Sequence, residues 1–124
     1  MDLLLDTHAF LWWDDGKLPR AVVRRIQRAD DVYVSAVSAW EISIKAALGK
    51  MRVREGTTVA GAVARYQFTE LPVAFRHADG VRTLPLHHGD PFDRLLIAWA
   101  MSEGPTIVTA DRKLEPYRVL VQWI

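Results

Sequence analysis

The chain has 124 residues, half of them apolar and a quarter charged, with a net charge of +1 and no cysteine. That length suits one domain, residues 1–124, able to bury roughly two-thirds of its unfolded surface, and the missing cysteines exclude disulfide, zinc–thiolate and iron–sulfur frameworks. No apolar run approaches the roughly 18 to 20 residues that span a bilayer, and the first residues lack the features of a secretory signal, so a cytoplasmic protein with no membrane partner is expected.

Residues 2–5 read as a short buried strand, followed at once by a helix from Thr7 to Trp13. Pro19 is expected at the first position of a second helix reaching Arg28, and 32–35 is a second strand. Ser38 has the look of an N-cap, with a helix running to Gly49 and an apolar stripe of Trp40, Ile44, Ala47 and Leu48. A helix within 56–68, a strand at 71–74 and a short helix at 76–83 follow. His87 to Asp90 form a loop leading into a helix from Pro91 to Ser102, whose apolar residues on all sides predict burial. Strands at 106–108 and 119–123 complete the chain. Strands alternating with helices predict an α/β domain with a mainly parallel sheet. In such sheets ligands bind beyond the carboxyl ends of the strands, where strand order reverses.

Four acidic residues stand out against this frame. Asp6 and Asp111 each follow an apolar strand at its carboxyl end, so they converge if those strands are neighbours. Either can also cap the turn that follows it. Glu41 has a strong structural reading: Ser38-x-x-Glu41 fits a capping box, and Lys45 lies at i+4 to pair with it. Asp93 is similarly explained by the helix start, with Asp90 as cap and Pro91 at the first position. It nevertheless sits at the entrance to a buried helix, which tilts it toward a site.

Gathering these carboxylates is costly. Two like charges about 4 Å apart cost about 4 kcal/mol at an effective dielectric of about 20. Either some are protonated or a divalent cation joins them. An all-oxygen cluster favours Mg²⁺ or Mn²⁺ over zinc, and such ions activate water against phosphates.

Other features carry less. Most of the 16 basic residues are arginine. Arg20 to Arg28 read as a solvated helix face, with an acidic protein partner as the other reading, while Lys45, Lys50 and Arg52 are candidate contacts to phosphate. His87 and His88 read as loop or surface histidines with a secondary part in substrate binding, and His8 as a residue supporting Asp6. Trp12 or Trp13 would suit stacking on a base, although core or subunit contacts explain the tryptophans better. Nucleotide-binding glycine loops and a serine nucleophile elbow are absent.

The motifs in order are Leu4-Leu5-Asp6-Thr7-His8-Ala9-Phe10-Leu11-Trp12, Ser35-x-x-Ser38-x-Trp40-Glu41-Ile42-x-Ile44-Lys45, Asp90-Pro91-Phe92-Asp93-Arg94-Leu95-Leu96-Ile97-Ala98 and Val108-Thr109-Ala110-Asp111. Together they resemble the PIN-domain proteins of the VapC type, ribonuclease toxins of bacterial toxin–antitoxin pairs. The resemblance implies a PIN-like α/β/α sandwich, one or two Mg²⁺ or Mn²⁺ ions, and cleavage of single-stranded or structured RNA of the tRNA or rRNA class. It implies that Asp6, Glu41, Asp93 and Asp111 form the catalytic, metal-holding quartet, with Asp90 and Thr109 auxiliary. It further implies a homodimer and a VapB-like antitoxin that supplies a basic side chain to the acidic pocket. Residues 56–88 carry no usable family signature.

Two other functions compete. A phosphoacceptor receiver domain suits the length and class, but would need a lysine at the end of a late strand, where this chain has Thr109-Ala110-Asp111. A non-catalytic PIN-like module binding RNA or protein is the other alternative, and the intact quartet argues against it.

Overall fold

The computed structural model describes residues 1–54 and 56–124. Its first strand, β1 (Leu3–Leu5), consists of three leucines with no exposed surface. Successive side chains point to opposite faces of a strand, so full burial requires cover on both sides. β1 pairs in parallel with β2 (Val32–Ser35) and with β4 (Thr106–Thr109), placing Leu4 opposite Tyr33 and Ile107. Outside them lie β3 (Thr69–Leu71) and β5 (Val121–Trp123), and the strand order is β3-β2-β1-β4-β5, parallel throughout.

Among the described residues, six helices flank the sheet. α1 (Thr7–Asp14), α2 (Arg20–Arg28) and α4 (Val59–Arg65) contribute Ala9, Phe10, Val22, Ile26 and Val63 to a core with Leu3, Leu5, Val34 and Val108. α6 (Pro91–Glu103) places Leu96, Ile97 and Trp99 against Leu4 and Ile107 on the other face, with α5 (Phe75–Gly80) packed beside it. The remaining helix, α3 (Ala36–Ala47), offers Ile42 to the first core and Val37 to the second. The expected α/β/α sandwich is therefore present. The exposed arginines Arg20, Arg24 and Arg28 form the outer face of α2.

Several local expectations need correction. Pro19 is the N-cap of α2 rather than its first residue, and β3 lies two residues earlier than the pattern implies. Ser38 does not cap α3. Ser35 does, its Oγ accepting the Val37 N–H at 3.1 Å, because β2 runs directly into the helix without a loop. The expected apolar stripe also faces the wrong way: Trp40 is 59% exposed and Leu48 63%, whereas Val37, Ser38, Glu41 and Ile42 are buried. An inward face containing serine and glutamate defeats a reading that assigns apolar residues to the inside.

The topology locates the crevice. From β1 the chain proceeds outward to β2 and β3, then crosses back to β4 on the other side of β1. The direction of winding thus reverses between β1 and β4, the position at which adjacent connections part and leave space beyond the strand ends.

Candidate functional site

Asp6 and Asp111 leave the carboxyl ends of those two strands. Asp6 follows β1 directly; its N–H donates to the Val108 carbonyl at 3.2 Å, and its Oδ1 accepts the Ala9 N–H at 2.8 Å. It therefore caps α1 while lying almost wholly buried. Asp111 accepts the Lys113 N–H at 3.0 Å, and its own N–H donates to Thr109 Oγ1 at 3.0 Å. The Thr109 hydroxyl is buried beside Asp6, on which it acts to lower the pKa.

Glu41 reaches the same crevice from α3. Its capping-box partner is lost with Ser38, and its carboxylate instead accepts the Thr7 hydroxyl at 2.6 Å and Lys45 Nζ at 2.5 Å. Thr7 is buried at the start of α1, where it also lies 3.1 Å from Ser38 Oγ. Asp93 enters from the first turn of α6. There Asp90 acts as N-cap, its Oδ1 accepting the N–H groups of Phe92 at 2.8 Å and Asp93 at 3.0 Å.

Contacts link the four acids around one crevice: Asp6 adjoins Thr7, which binds Glu41, and His88 lies between Asp93 and Asp111. Burial raises Asp6 above the ordinary aspartate range, against the Thr109 and Ala9 hydrogen bonds, and the Asp111 charge adds to the rise. Burial, then the charges of Asp90 and Asp6, push Asp93 up to about 7, with Glu41 adding and His88 opposing. Asp111 moves the other way: burial raises it, but the Lys113 N–H and His88 outweigh that, and it lies below its ordinary value. Lys45 is raised, mainly by its hydrogen bond to Glu41, with smaller contributions from Asp90 and Asp93. Such mutual cost fits a centre completed by a cation.

His88 is where sequence reasoning failed most. It is buried, not a surface residue, and its Nε2 lies 2.8 Å from Asp111 Oδ2 and 2.9 Å from Asp93 Oδ2. Ligand-type atoms of His88, Asp93 and Asp111 all lie within 4.8 Å of one another. His87 is exposed, its ring against Tyr117 at 5.2 Å. Arg94 and Tyr117 were also missed. Buried Arg94 donates to the carbonyls of Val81, Leu84, Pro85 and His88 and to Tyr117 Oη. An arginine inside an otherwise apolar helix was the signal available in the sequence.

The remaining candidates lie apart from the acids or are already committed. Lys45 is paired to Glu41, whereas Lys50 and Arg52 are exposed on the segment after α3. His8 is exposed, its ring 6.0 Å from that of Trp12. With Trp12, Arg52 and Arg65 it borders a cavity of about 490 Å³ that none of the four acids lines. Trp13 packs edge-on against Tyr66, and Trp99 is buried, while Trp40 lies on the surface against Phe92 at 5.2 Å.

A PIN-domain family profile matches residues 3–119. The chain belongs to the PIN-domain family. Ribonuclease VapC22 of Mycobacterium tuberculosis (strain ATCC 25618 / H37Rv) is 29% identical to this PIN domain over 121 residues, covering 94% of this chain and 92% of that protein. Among solved structures, DNA-bound VapBC from Salmonella typhimurium superimposes with a TM-score of 0.76 at 16% identity, covering 98% of this chain and 97% of the other. VapBC2 from Rickettsia felis, bound to a promoter DNA fragment, gives 0.74 at 12% identity, covering 100% and 99%. At those identities the structural likeness is one of fold. No helix among the described residues is long and apolar enough to cross a membrane.

Proposed function

We propose that this PIN domain, residues 1–124, is a divalent-cation-dependent endoribonuclease acting as the toxin of a type II toxin–antitoxin pair. The observation that carries the reading is the gathering of Asp6, Glu41, Asp93 and Asp111 around the strand switch point, linked through Thr7 and His88. The similarity to a protein named ribonuclease VapC22 supports the activity. That the similar structures are VapBC complexes supports a VapB-like antitoxin as partner.

Asp6, Asp93 and Asp111 would hold Mg²⁺ or Mn²⁺, with Glu41 as a ligand or through water. A cation held there would supply an activated water and offset charge on the phosphate. The residues of the chain do the rest. Thr109 accepts the Asp111 N–H and so steadies the turn that carries Asp111, and Thr7 with Lys45 orients Glu41. Asp6 and Glu41 are buried at this site, and burial strengthens the charge interactions they make. Exposed Lys50 and Arg52 would meet the RNA backbone, and the substrate is RNA of the tRNA or rRNA class. The working form is a cytoplasmic homodimer.

The test is incubation of a mixed tRNA and rRNA pool with purified, antitoxin-free protein, with Mg²⁺ or Mn²⁺ and with EDTA, beside Asp6→Asn. Discrete fragments that vanish with EDTA and with the variant are expected. RNA retained without cutting would instead favour a binding module, and undiminished cutting by folded Asp6→Asn would sink the site assignment.

A further inference from the structure

His88 is gripped from every side. Its backbone N–H donates to Tyr117 Oη at 2.9 Å, and its carbonyl accepts from Arg94 at 3.3 Å. Tyr117 Oη passes its own hydrogen to the Pro85 carbonyl at 2.8 Å, and Arg94 ties down the carbonyls of Val81, Leu84 and Pro85. The guanidinium is therefore spent on the loop that delivers His88. A histidine that merely filled space would need none of this.

The ring is fixed as firmly as the backbone. Nδ1 accepts the Asp90 N–H at 3.2 Å, so Nδ1 presents a lone pair and the ring proton resides on Nε2. That N–H faces Asp93 Oδ2 and Asp111 Oδ2 at 2.9 and 2.8 Å. A metal ion on Nε2 would drive the proton to Nδ1 and set it against the Asp90 N–H, donor against donor. The Asp90 backbone cannot readily turn away, because its side chain caps α6 through Phe92 and Asp93. Proximity suggests a ligand, but the direction of the donors argues for a hydrogen-bonding role.

We propose that His88 is a positioning residue that donates Nε2–H to both Asp93 and Asp111. It holds the carboxylate from the entrance of α6 against the one beyond β4, at a separation one divalent cation can bridge, without itself ligating the cation. These aspartates belong to different elements and repel each other, so an external donor is what keeps them facing. The inference rests on the proposed function for its cation, though not for the hydrogen bonds.

Two measurements test it. In metal-free protein carrying ¹⁵N-histidine, heteronuclear spectra should show His88 with a protonated Nε2 and a bare Nδ1, assigned by its disappearance in His88→Gln. His77 provides an internal reference, since its Nδ1 accepts the Ala74 N–H at 3.0 Å and its Nε2 lies 3.0 Å from Glu103. A proton on Nδ1 of His88 overturns the proposal. The second measurement is Mn²⁺ affinity by calorimetry, with pulsed electron paramagnetic resonance on the loaded protein. Replacing a residue that orients metal ligands typically weakens metal binding about 10- to 100-fold. That loss is expected for folded His88→Leu, with most of it recovered in His88→Gln, whose amide places an N–H donor near the same point. Unchanged affinity in His88→Leu refutes the positioning role. An imidazole nitrogen coupling to Mn²⁺ that vanishes in His88→Gln makes His88 a ligand and also refutes it. Failure of the wild-type protein to bind Mn²⁺ at all would instead overturn the proposed function, leaving the ¹⁵N spectra to decide the hydrogen bonding.

Discussion

Replacing Asp93 with asparagine should make the metal-free protein more stable, and the gain should depend on pH. The substitution keeps the shape and leaves an oxygen to accept the His88 N–H, removing only the charge. Asp93 is pushed up to about 7 by burial, Asp90 and Asp6, from an ordinary 3.8. A difference of that size amounts to about 4 kcal/mol between the protonation states. Below about pH 4 the folded and unfolded chains both hold the proton, and ionisation costs nothing. Between about pH 4 and pH 7 the unfolded chain releases its proton while the folded one retains it, so stability falls as pH rises. Above pH 7 the full cost is in place. Asparagine never ionises, so Asp93→Asn should match wild type near pH 4 and exceed it by about 2 to 4 kcal/mol at pH 8, or roughly 10 °C in melting temperature. Thermal and urea unfolding in EDTA across that range measure it. Mn²⁺ should then reverse the order, because a ligand at about 100 times its Kd stabilises the protein that binds it by about 2.7 kcal/mol. An Asp93→Asn variant no more stable than wild type at pH 8, or equally advantaged at pH 4 and pH 8, would refute the reasoning.

Other consequences follow from single contacts. Thr7→Val removes the hydroxyl that buried Glu41 accepts at 2.6 Å, and should cost about 2 kcal/mol in urea unfolding, together with most of the RNA cleavage. Arg94→Met strands the carbonyls of Val81, Leu84, Pro85 and His88. It should cost about 3 kcal/mol or more and speed amide exchange in 81–88, measured by mass spectrometry. Trp99→Ala should cost about 3 to 5 kcal/mol, but Trp40→Ala less than about 1 kcal/mol, because Trp99 is buried and Trp40 is 59% exposed. Equal losses in denaturant would contradict that placement.

How far the sequence could be read depended on what each residue had to satisfy. Leu3 to Leu5, flanked by turn and helix signals, can scarcely be anything but a buried strand, and Asp90-Pro91 followed by Gly104 brackets α6 by cap chemistry alone. Asp6 and Asp111 were legible because a carboxylate at the end of a buried strand recurs at one topological place. α3 was misread because its inward face carries Ser38 and Glu41, so apolar periodicity pointed to Trp40 and Leu48 on the outside. Taken by itself Glu41 reads as a capping-box residue, a role that Ser35 makes unnecessary, and only the family resemblance placed it in the quartet. His88 was the hardest case. Nothing local distinguishes it from His87, and its burial comes from Arg94 and Tyr117, the latter 29 residues away in the chain. Periodicity does not register a contact of that kind.

The most direct test of the account is the chemistry of the cut ends. Fragments from the RNA pool, made with Mg²⁺ or Mn²⁺, should carry a 5′-phosphate and a 3′-hydroxyl if, as proposed, water attacks the phosphorus at a cation held among Asp6, Asp93 and Asp111. Ligation and phosphatase sensitivity of the isolated fragments read this out. Products ending in a 2′,3′-cyclic phosphate and a 5′-hydroxyl would mean that the ribose 2′-hydroxyl, not water, is the nucleophile. That result would contradict the central claim.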